Sequence, residues 1–180
     1  MCYYNLKKYD EALADYNKAL ELKSDDVTAT YYRGLVYRKM QKYDEAVQDF
    51  TKALTVNSSN IKALYNRALS YSSLKKYDEA IQDYTNIIEL NPEYTDAYLN
   101  RGNIYNFQQK YQEATADYLK LTELQPENAD NYYDLGGVYY NLQKYEDAVK
   151  MWEKAIEQNK EYEAKLRTKI DDIKAILEKK

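Results

Sequence analysis

The side chains able to do chemistry in this chain are carboxylates, amines, guanidinium groups and phenols. Its 180 residues hold 30 Asp and Glu, 26 Lys and Arg, 23 Tyr, a single Cys and no His. Without an imidazole, neither a Ser-His-Asp nor a Cys-His arrangement can form. With Cys2 as the lone thiol, the usual zinc ligand sets are equally out of reach. Carboxylates can move protons, but here they recur at fixed intervals along the chain and gather into no cluster. The expectation is a protein with no catalytic residue, no cofactor and no metal. Guanidinium, carboxylate and phenol in periodic order can instead bond to one another, or to the surface of a partner.

Composition narrows the partner. A net charge of -4 argues against nucleic acid, whose phosphates call for an electropositive face. No run of apolar residues is long enough to span a bilayer, so no membrane insertion is expected. Lys7, Lys8, Asp10, Glu11 and Asp15 leave no apolar core for a signal peptide. One cysteine cannot form an internal disulfide. The expected location is cytoplasmic.

What positions the chemical groups is a repeat. The pentapeptide KYDEA stands at 8–12, 42–46 and 76–80, then as KYQEA at 110–114 and KYEDA at 144–148. Every interval is 34 residues. Tyr3, Tyr37, Tyr71, Tyr105 and Tyr139 precede the anchor in step, and Ala12, Ala46, Ala80, Ala114 and Ala148 close it. A large aromatic follows four residues later: Tyr16, Phe50, Tyr84, Tyr118 and Trp152. Tyr65, Ala68, Tyr71 and Leu74 have helical spacing, and after a polar turn so do Ala80, Tyr84, Ile87 and Ile88. Each period therefore predicts two antiparallel helices, near 62–74 and 78–90 in that copy. Gly34, Ala68, Gly102 and Gly136 stand where the first helix must approach the second. Pro92 and Pro126 interrupt the chain between periods.

These features resemble the tetratricopeptide repeat family, whose pattern is W-x2-L-G-x2-Y, then A-x3-F, then P, over 34 residues. The last full copy reads Tyr132-x2-Leu135-Gly136-x2-Tyr139 followed by Ala148-x3-Trp152. The copy before it reads Tyr98-x2-Arg101-Gly102-x2-Tyr105, Ala114-x3-Tyr118 and Pro126. The resemblance implies an all-α fold, a right-handed α-solenoid of helix-turn-helix repeats. A repeat array over 1–162 would comprise a partial repeat at 1–26 and full repeats at 27–60, 61–94, 95–128 and 129–162. Leu166, Ile170, Ile173 and Leu177 form one apolar stripe, which predicts a C-terminal capping helix in 163–180.

Most tyrosines are accounted for by this frame. The anchor, the recurrent tyrosine and the second-helix aromatic, with Tyr98 and Tyr132 in the family's Trp slot, are core positions. Tyr94 and Tyr162, at repeat ends, suit packing between repeats. Arg33, Arg67 and Arg101 occupy the family's Leu slot, and sixteen residues after each comes Asp49, Asp83 or Asp117. In the last repeat both change together, to Leu135 and Met151. That joint change predicts an Arg–Asp pair between the two helices of a repeat, because guanidinium and carboxylate can bond bidentately.

The resemblance also implies a function: members of the family are scaffolds that hold a peptide or helix of a protein partner in a concave groove lined by the first helices. The groove residues it implies here are Tyr31, Arg38, Lys62, Tyr65, Asn66, Asn100, Asn103, Phe107, Tyr133, Asp134 and Tyr140, with Tyr4 in the first copy. The chaperone-tail subclass, with its Lys/Asn/Asn/Lys/Arg clamp, is not matched. Its positions fall on Tyr31, Leu35, Asn66, Asp96 and Asn100, or on Tyr65, Leu69, Asn100, Asp130 and Asp134. Only an asparagine survives in either register. The alternatives are a structural assembly or oligomerisation module acting through its ends and convex face, or a regulatory fragment of a larger protein.

Met1 aligns with Gly137, inside a first helix, so the chain begins with a stump at 2–6 ahead of a complete second helix. An uncovered apolar strip tends to find a partner, and self-association through this N-terminal edge, or fraying, is expected. Residues 1–22 should show weaker amide-exchange protection than residues 61–128 in a monomer. Equal protection would exclude this.

Overall fold

The chain folds entirely into helices and short turns over residues 8–178, which the computed structural model describes, with no strand among them. It falls into two units, one ending at Pro92 and the other beginning at Glu93. Unit 1 contains α1 (Tyr9–Leu22), α2 (Val27–Lys39), α3 (Tyr43–Val56), α4 (Ile61–Ser73) and α5 (Tyr77–Leu90). Unit 2 contains α6 (Thr95–Phe107), α7 (Tyr111–Leu124), α8 (Ala129–Asn141), α9 (Tyr145–Gln158) and α10 (Glu161–Leu177). Within each unit, every helix packs on the next in chain order. The stump expected at 2–6, with Tyr3 and Tyr4, lies outside the described residues.

The KYDEA anchor has a local reason. Its lysine is the N-cap of a second helix, its tyrosine opens that helix, and its acids fall in the first turn. There they meet the positive end of the helix dipole, although the lysine makes no side-chain cap. The first helices are capped differently. Asp26 accepts from the Ala29 N–H at 2.9 Å and Asn60 from the Ala63 N–H at 3.2 Å, so each satisfies an amide the helix cannot.

The turn inside each repeat is also periodic. Gln41, Lys75, Gln109 and Gln143 lie at φ of 60°, 60°, 61° and 59°. The following amide of Lys42, Lys76, Lys110 or Lys144 donates back to the carbonyl of Tyr37, Tyr71, Tyr105 or Tyr139 at 2.8–2.9 Å. This is a Schellman closure. It is made without glycine, at about 1–2 kcal/mol for each side chain held in the left-handed region.

The small residue of the first helix faces the aromatic of the second. A Cβ on Gly34 would come to 2.9 Å from the Phe50 ring, and one on Gly136 to 2.4 Å from the Trp152 indole. On Gly102 it would lie 3.2 Å from the Asp117 Cβ and 3.4 Å from the Tyr118 ring. Phe50, Tyr84, Tyr118 and Trp152 are all buried, as are the anchor alanines from Ala12 to Ala148.

Beside each ring runs the ion pair. Arg33 holds Asp49 through two bonds of 2.8 and 2.7 Å, Arg67 holds Asp83 at 2.8 and 2.7 Å, and Arg101 holds Asp117 at 3.0 and 2.7 Å. The remaining nitrogen reaches the repeat before: Arg33 Nη1 donates to Asn17 Oδ1 at 2.9 Å and Arg67 Nη1 to Thr51 Oγ1 at 3.1 Å. Each of these two arginines therefore ties three helices. In the last repeat Leu135 is buried instead and Met151 packs against the adjacent core, while Leu119 stands at the register of Asn17 and Thr51.

At the end of unit 2, α10 lays Leu166, Ile170 and Ile173 on Trp152, Ala155 and Ile156 of α9, with Leu177 alongside. At the start of unit 1, α1 buries only Ala12, while Leu13, Tyr16, Ala19 and Leu20 are partly covered and Leu22 is exposed.

The pair at Arg67 and Asp83 is buried enough to test. Burial lifts the Asp83 and Asp117 carboxyls above their ordinary value even with a guanidinium on each, so desolvation offsets much of the attraction. Removing one partner should be costly and removing both should not. Asp83→Ala is expected to lower the unfolding free energy by ~3–5 kcal/mol. The double change Arg67→Leu with Asp83→Met, copying the last repeat, should recover all but about 1 kcal/mol in urea unfolding.

Candidate functional site

Once the core positions are filled, the first helices retain a set of aromatic, amide and charged side chains that the helix pairs do not consume. In unit 1 these lie on α2 and α4. Tyr31 meets Phe50 and Tyr32 at centroid distances of 5.7 and 5.4 Å. Tyr32, which the sequence reading did not single out, stacks on Tyr16 at 6.1 Å. Tyr65 stands edge-on to Tyr84 at 6.1 Å. Asn66 joins the two helices: its amide donates to the Tyr31 hydroxyl at 3.3 Å and to the Lys62 carbonyl at 2.7 Å. Lys62 is exposed, and Arg38 is partly exposed near the end of α2.

In unit 2 the corresponding residues lie on α6 and α8. The Asn100 amide donates to the Asp96 carbonyl at 2.7 Å, as Asn66 does one repeat earlier. Both asparagines thus turn a donor back onto their own helix, which ties part of the amide that a bound backbone would use. Asn103 accepts the Tyr118 hydroxyl at 2.6 Å and so serves the core as well as the surface. Phe107 is 70% exposed. Thr95, Asp96, Asn103, Asp130 and Asp134 rim a shallow depression between α6 and α8. Beneath it, buried Asn131 donates to the Leu121 carbonyl at 3.2 Å, which fixes the start of α8 on the end of α7.

The far side of this face is partly occupied by the end of the chain. Tyr162 lies against Tyr133 at 4.8 Å and its hydroxyl donates to Asp130. Lys169 of α10 places its ammonium 3.9 Å from the Tyr140 ring centroid and 4.7 Å from that of Trp152, a cation–π contact with two rings at once. Tyr133 and Tyr140 therefore face α10 residues as well as solvent. The signal for this was present: Lys165 and Lys169 are spaced i, i+4 beside the apolar stripe of 166, 170 and 173.

Asp134 has the most altered acidity on this face. Burial and the neighbouring Asp130 push its carboxyl up to about 6. The same acids, through the bond to Asp130, raise the Tyr162 hydroxyl to about 12. Among the described residues no group of His, Cys, Asp and Glu could hold a metal ion. Among the described residues no helix is long and apolar enough to cross a membrane.

Comparison with known proteins places this geometry in company. Tetratricopeptide repeat models match residues 27–60 and 61–94, 129–162, and 84–116, and a TPR repeat model matches 2–41 and 102–143. No curated protein sequence matches the chain. Among solved structures, the chain is similar to YrrB, described as a TPR protein with an unusual peptide-binding site. The two are 30% identical over 93% of this chain and 87% of that one, with a TM-score of 0.81. MamA is similar at 24% identity, over 91% of this chain and 89% of that one, with a TM-score of 0.82. A tetratricopeptide repeat protein from Parabacteroides merdae is similar at 23% identity, over 87% and 62%, with a TM-score of 0.79.

The acidity of Asp134 makes a stability prediction. A carboxyl whose value is higher in the folded than in the unfolded chain holds its proton more tightly when folded. Its contribution is therefore favourable at low pH and lost as pH rises through about 6. Asp134→Asn should stabilise the protein at pH values above that range by on the order of 1 kcal/mol, allowing for the solvent on one side. It should be near neutral below the ordinary carboxylate range. Urea unfolding of both forms across this range checks it.

Proposed function

The chain belongs to the tetratricopeptide repeat family, and on that premise we propose that it is a scaffold that holds a peptide or helix of a protein partner along its first-helix faces. One observation carries the reading: Tyr31, Tyr65 and Tyr133 stay partly exposed on three of the four first helices, α2, α4 and α8, while the core aromatics beside them, Phe50, Tyr84 and Trp152, are buried. Tyrosine offers a large contact area and a polar tip at little entropic cost, which suits recognition. The peptide-binding site in the description of YrrB, 30% identical, adds support by analogy.

The charges on these faces suggest the partner's character. Unit 1 presents Arg38, Lys39 and Lys62; unit 2 presents Asp96, Asp130 and Asp134. A segment lying on unit 1 should be acidic, and one on unit 2 basic, with an apolar anchor for the tyrosines and Phe107. Such attraction steers encounter and weakens as salt screens it. A cytoplasmic location belongs to the same proposal, resting on the sequence alone.

A second reading, self-association, is favoured by α1, where Leu13, Tyr16, Ala19 and Leu20 are only partly covered and Leu22 is 84% exposed. Size-exclusion at several concentrations separates the two.

The central test is affinity capture. The intact chain should retain a partner that a variant carrying Tyr65→Ala and Asn100→Ala loses. Peptides displayed with their acidic and basic ends exchanged should bind more weakly. Capture unaffected by the double change, or binding indifferent to charge order, would count against the face and its polarity.

A further inference from the structure

The depression between α6 and α8 in unit 2 has an unbalanced polar lining. Asp96 and Leu99 of α6, Leu121 of α7, and Asp130, Asn131 and Asp134 of α8 all contribute to its walls. Its volume of about 340 Å³ is many times the roughly 30 Å³ share of one water, which is room for a long side chain.

Asn131 is only 2% exposed. Its NH2 group is spent on the Leu121 carbonyl at 3.2 Å and on Gln125 Oε1 at 3.4 Å. Its carbonyl oxygen receives no hydrogen bond among the described residues, and with the nitrogen turned to α7 the oxygen is the end left to the hollow. Asp134 follows three residues later on the same helix face. It is partly buried, and among the described residues its carboxylate also has no hydrogen-bond or ion-pair partner. Asp130, one turn earlier, uses one oxygen for the Tyr162 hydroxyl, and Asp96 stands exposed on the facing helix. The rise of the Asp134 carboxyl to about 6 agrees with this geometry: a like charge lies beside it and no cation opposite.

A buried acceptor without a donor therefore shares one hollow with three carboxylates. Among the described residues no such group is placed to hold a metal ion, which leaves an organic cation. Ammonium and guanidinium groups carry donors and no acceptor. Their alkyl stems pack on apolar surface while the charged head reaches polar groups, and Leu99 and Leu121 supply that surface here.

We propose that this hollow takes the cationic side chain of a lysine or arginine in a segment bound to unit 2. The head meets Asp134, Asp130 and the Asn131 oxygen, and the stem lies on Leu99 and Leu121. The proposal rests on the scaffold reading and adds to it the residue type at one contact. In the chaperone-tail register Asp130 and Asp134 stand where the clamp has Lys and Arg, so the charge is reversed and a carboxylate is repelled.

The test uses the full chain with 13C-labelled aspartate, read at the side-chain carboxyl signals at constant pH and ionic strength. The probes are the Nα-acetyl methylamides of lysine, arginine and neutral norleucine, with magnesium chloride as a fourth arm. The Asp134 signal, identified by its loss in Asp134→Asn, should shift saturably with the lysine or arginine probe and not with norleucine or magnesium. The stronger of the two responses names the residue. The signals of Asp49, Asp83 and Asp117, held by their arginines, should stay in place. Asp130→Asn should weaken the response about threefold, the worth of one exposed ion pair. No Asp134 shift, an equal shift with norleucine or magnesium, or an unchanged response in Asp130→Asn would overturn the subsite. Because the readout needs no peptide, an intact response with no partner captured would overturn the scaffold reading alone. Partner capture without that response would overturn the subsite alone.

Discussion

Gly136 lies so near the Trp152 indole that a Cβ would reach within 2.4 Å of it, and Gly34 stands almost as close to Phe50. This approach of a bare backbone to an aromatic ring is the constraint on which three of the four helix pairs depend, with buried Ala68 standing at the same place in the other. It fixes which helix turn faces which. That alignment sets an arginine on the first helix opposite an aspartate on the second, close enough for two bonds. It also sets the length of the connection, so that every turn closes in the same left-handed conformation. Insertions within the period would break all three at once, and the 34-residue interval is kept throughout.

Much of this is legible in the sequence. The anchor spacing implied the helix pairs, and the joint change of Arg and Asp to Leu135 and Met151 implied the ion pair. What escaped was the third bond of Arg33 and Arg67, to Asn17 and Thr51. The pattern was read inside one repeat, whereas the guanidinium fork spans two. Tyr162 was understood as a packing residue between repeats, but its hydroxyl also reaches Asp130. Asn66 and Asn100 were expected to line the groove, yet an asparagine on a helix surface can bond the carbonyl four residues back, and both do. Periodicity identifies faces well. It says little about which polar atoms on a face are already engaged.

The tyrosines illustrate the same division. Side chains of one kind separate into buried rings, such as Tyr118 with its hydroxyl on Asn103, and rings half-open on the first helices. Neighbours differ from repeat to repeat: Asn103 accepts the Tyr118 hydroxyl, whereas Leu69 holds the same register one repeat earlier. In unit 2 the end of the chain intervenes too, since Lys169 sits over Tyr140 and Trp152. The first helices of the two units therefore differ although the repeat is nearly the same: α2 and α4 carry Arg38, Lys39 and Lys62, whereas α6 and α8 carry Asp96, Asp130 and Asp134.

The arginines that reach back to the preceding repeat give the gene a memory of order. A tandem array invites slippage that deletes one whole period in frame. Deletion of 27–60 would bring Arg67 to Asn17, and deletion of 61–94 would bring Arg101 to Thr51; either leaves the guanidinium an oxygen acceptor at its old register. Deletion of 95–128 would instead set Leu135 beside Thr85, a hydroxyl facing an alkyl chain that was formerly matched by Leu119. Repeats of equal length are thus unequal currency in recombination: the early ones can be lost or duplicated with their joints intact, and the last is matched only to the one before it.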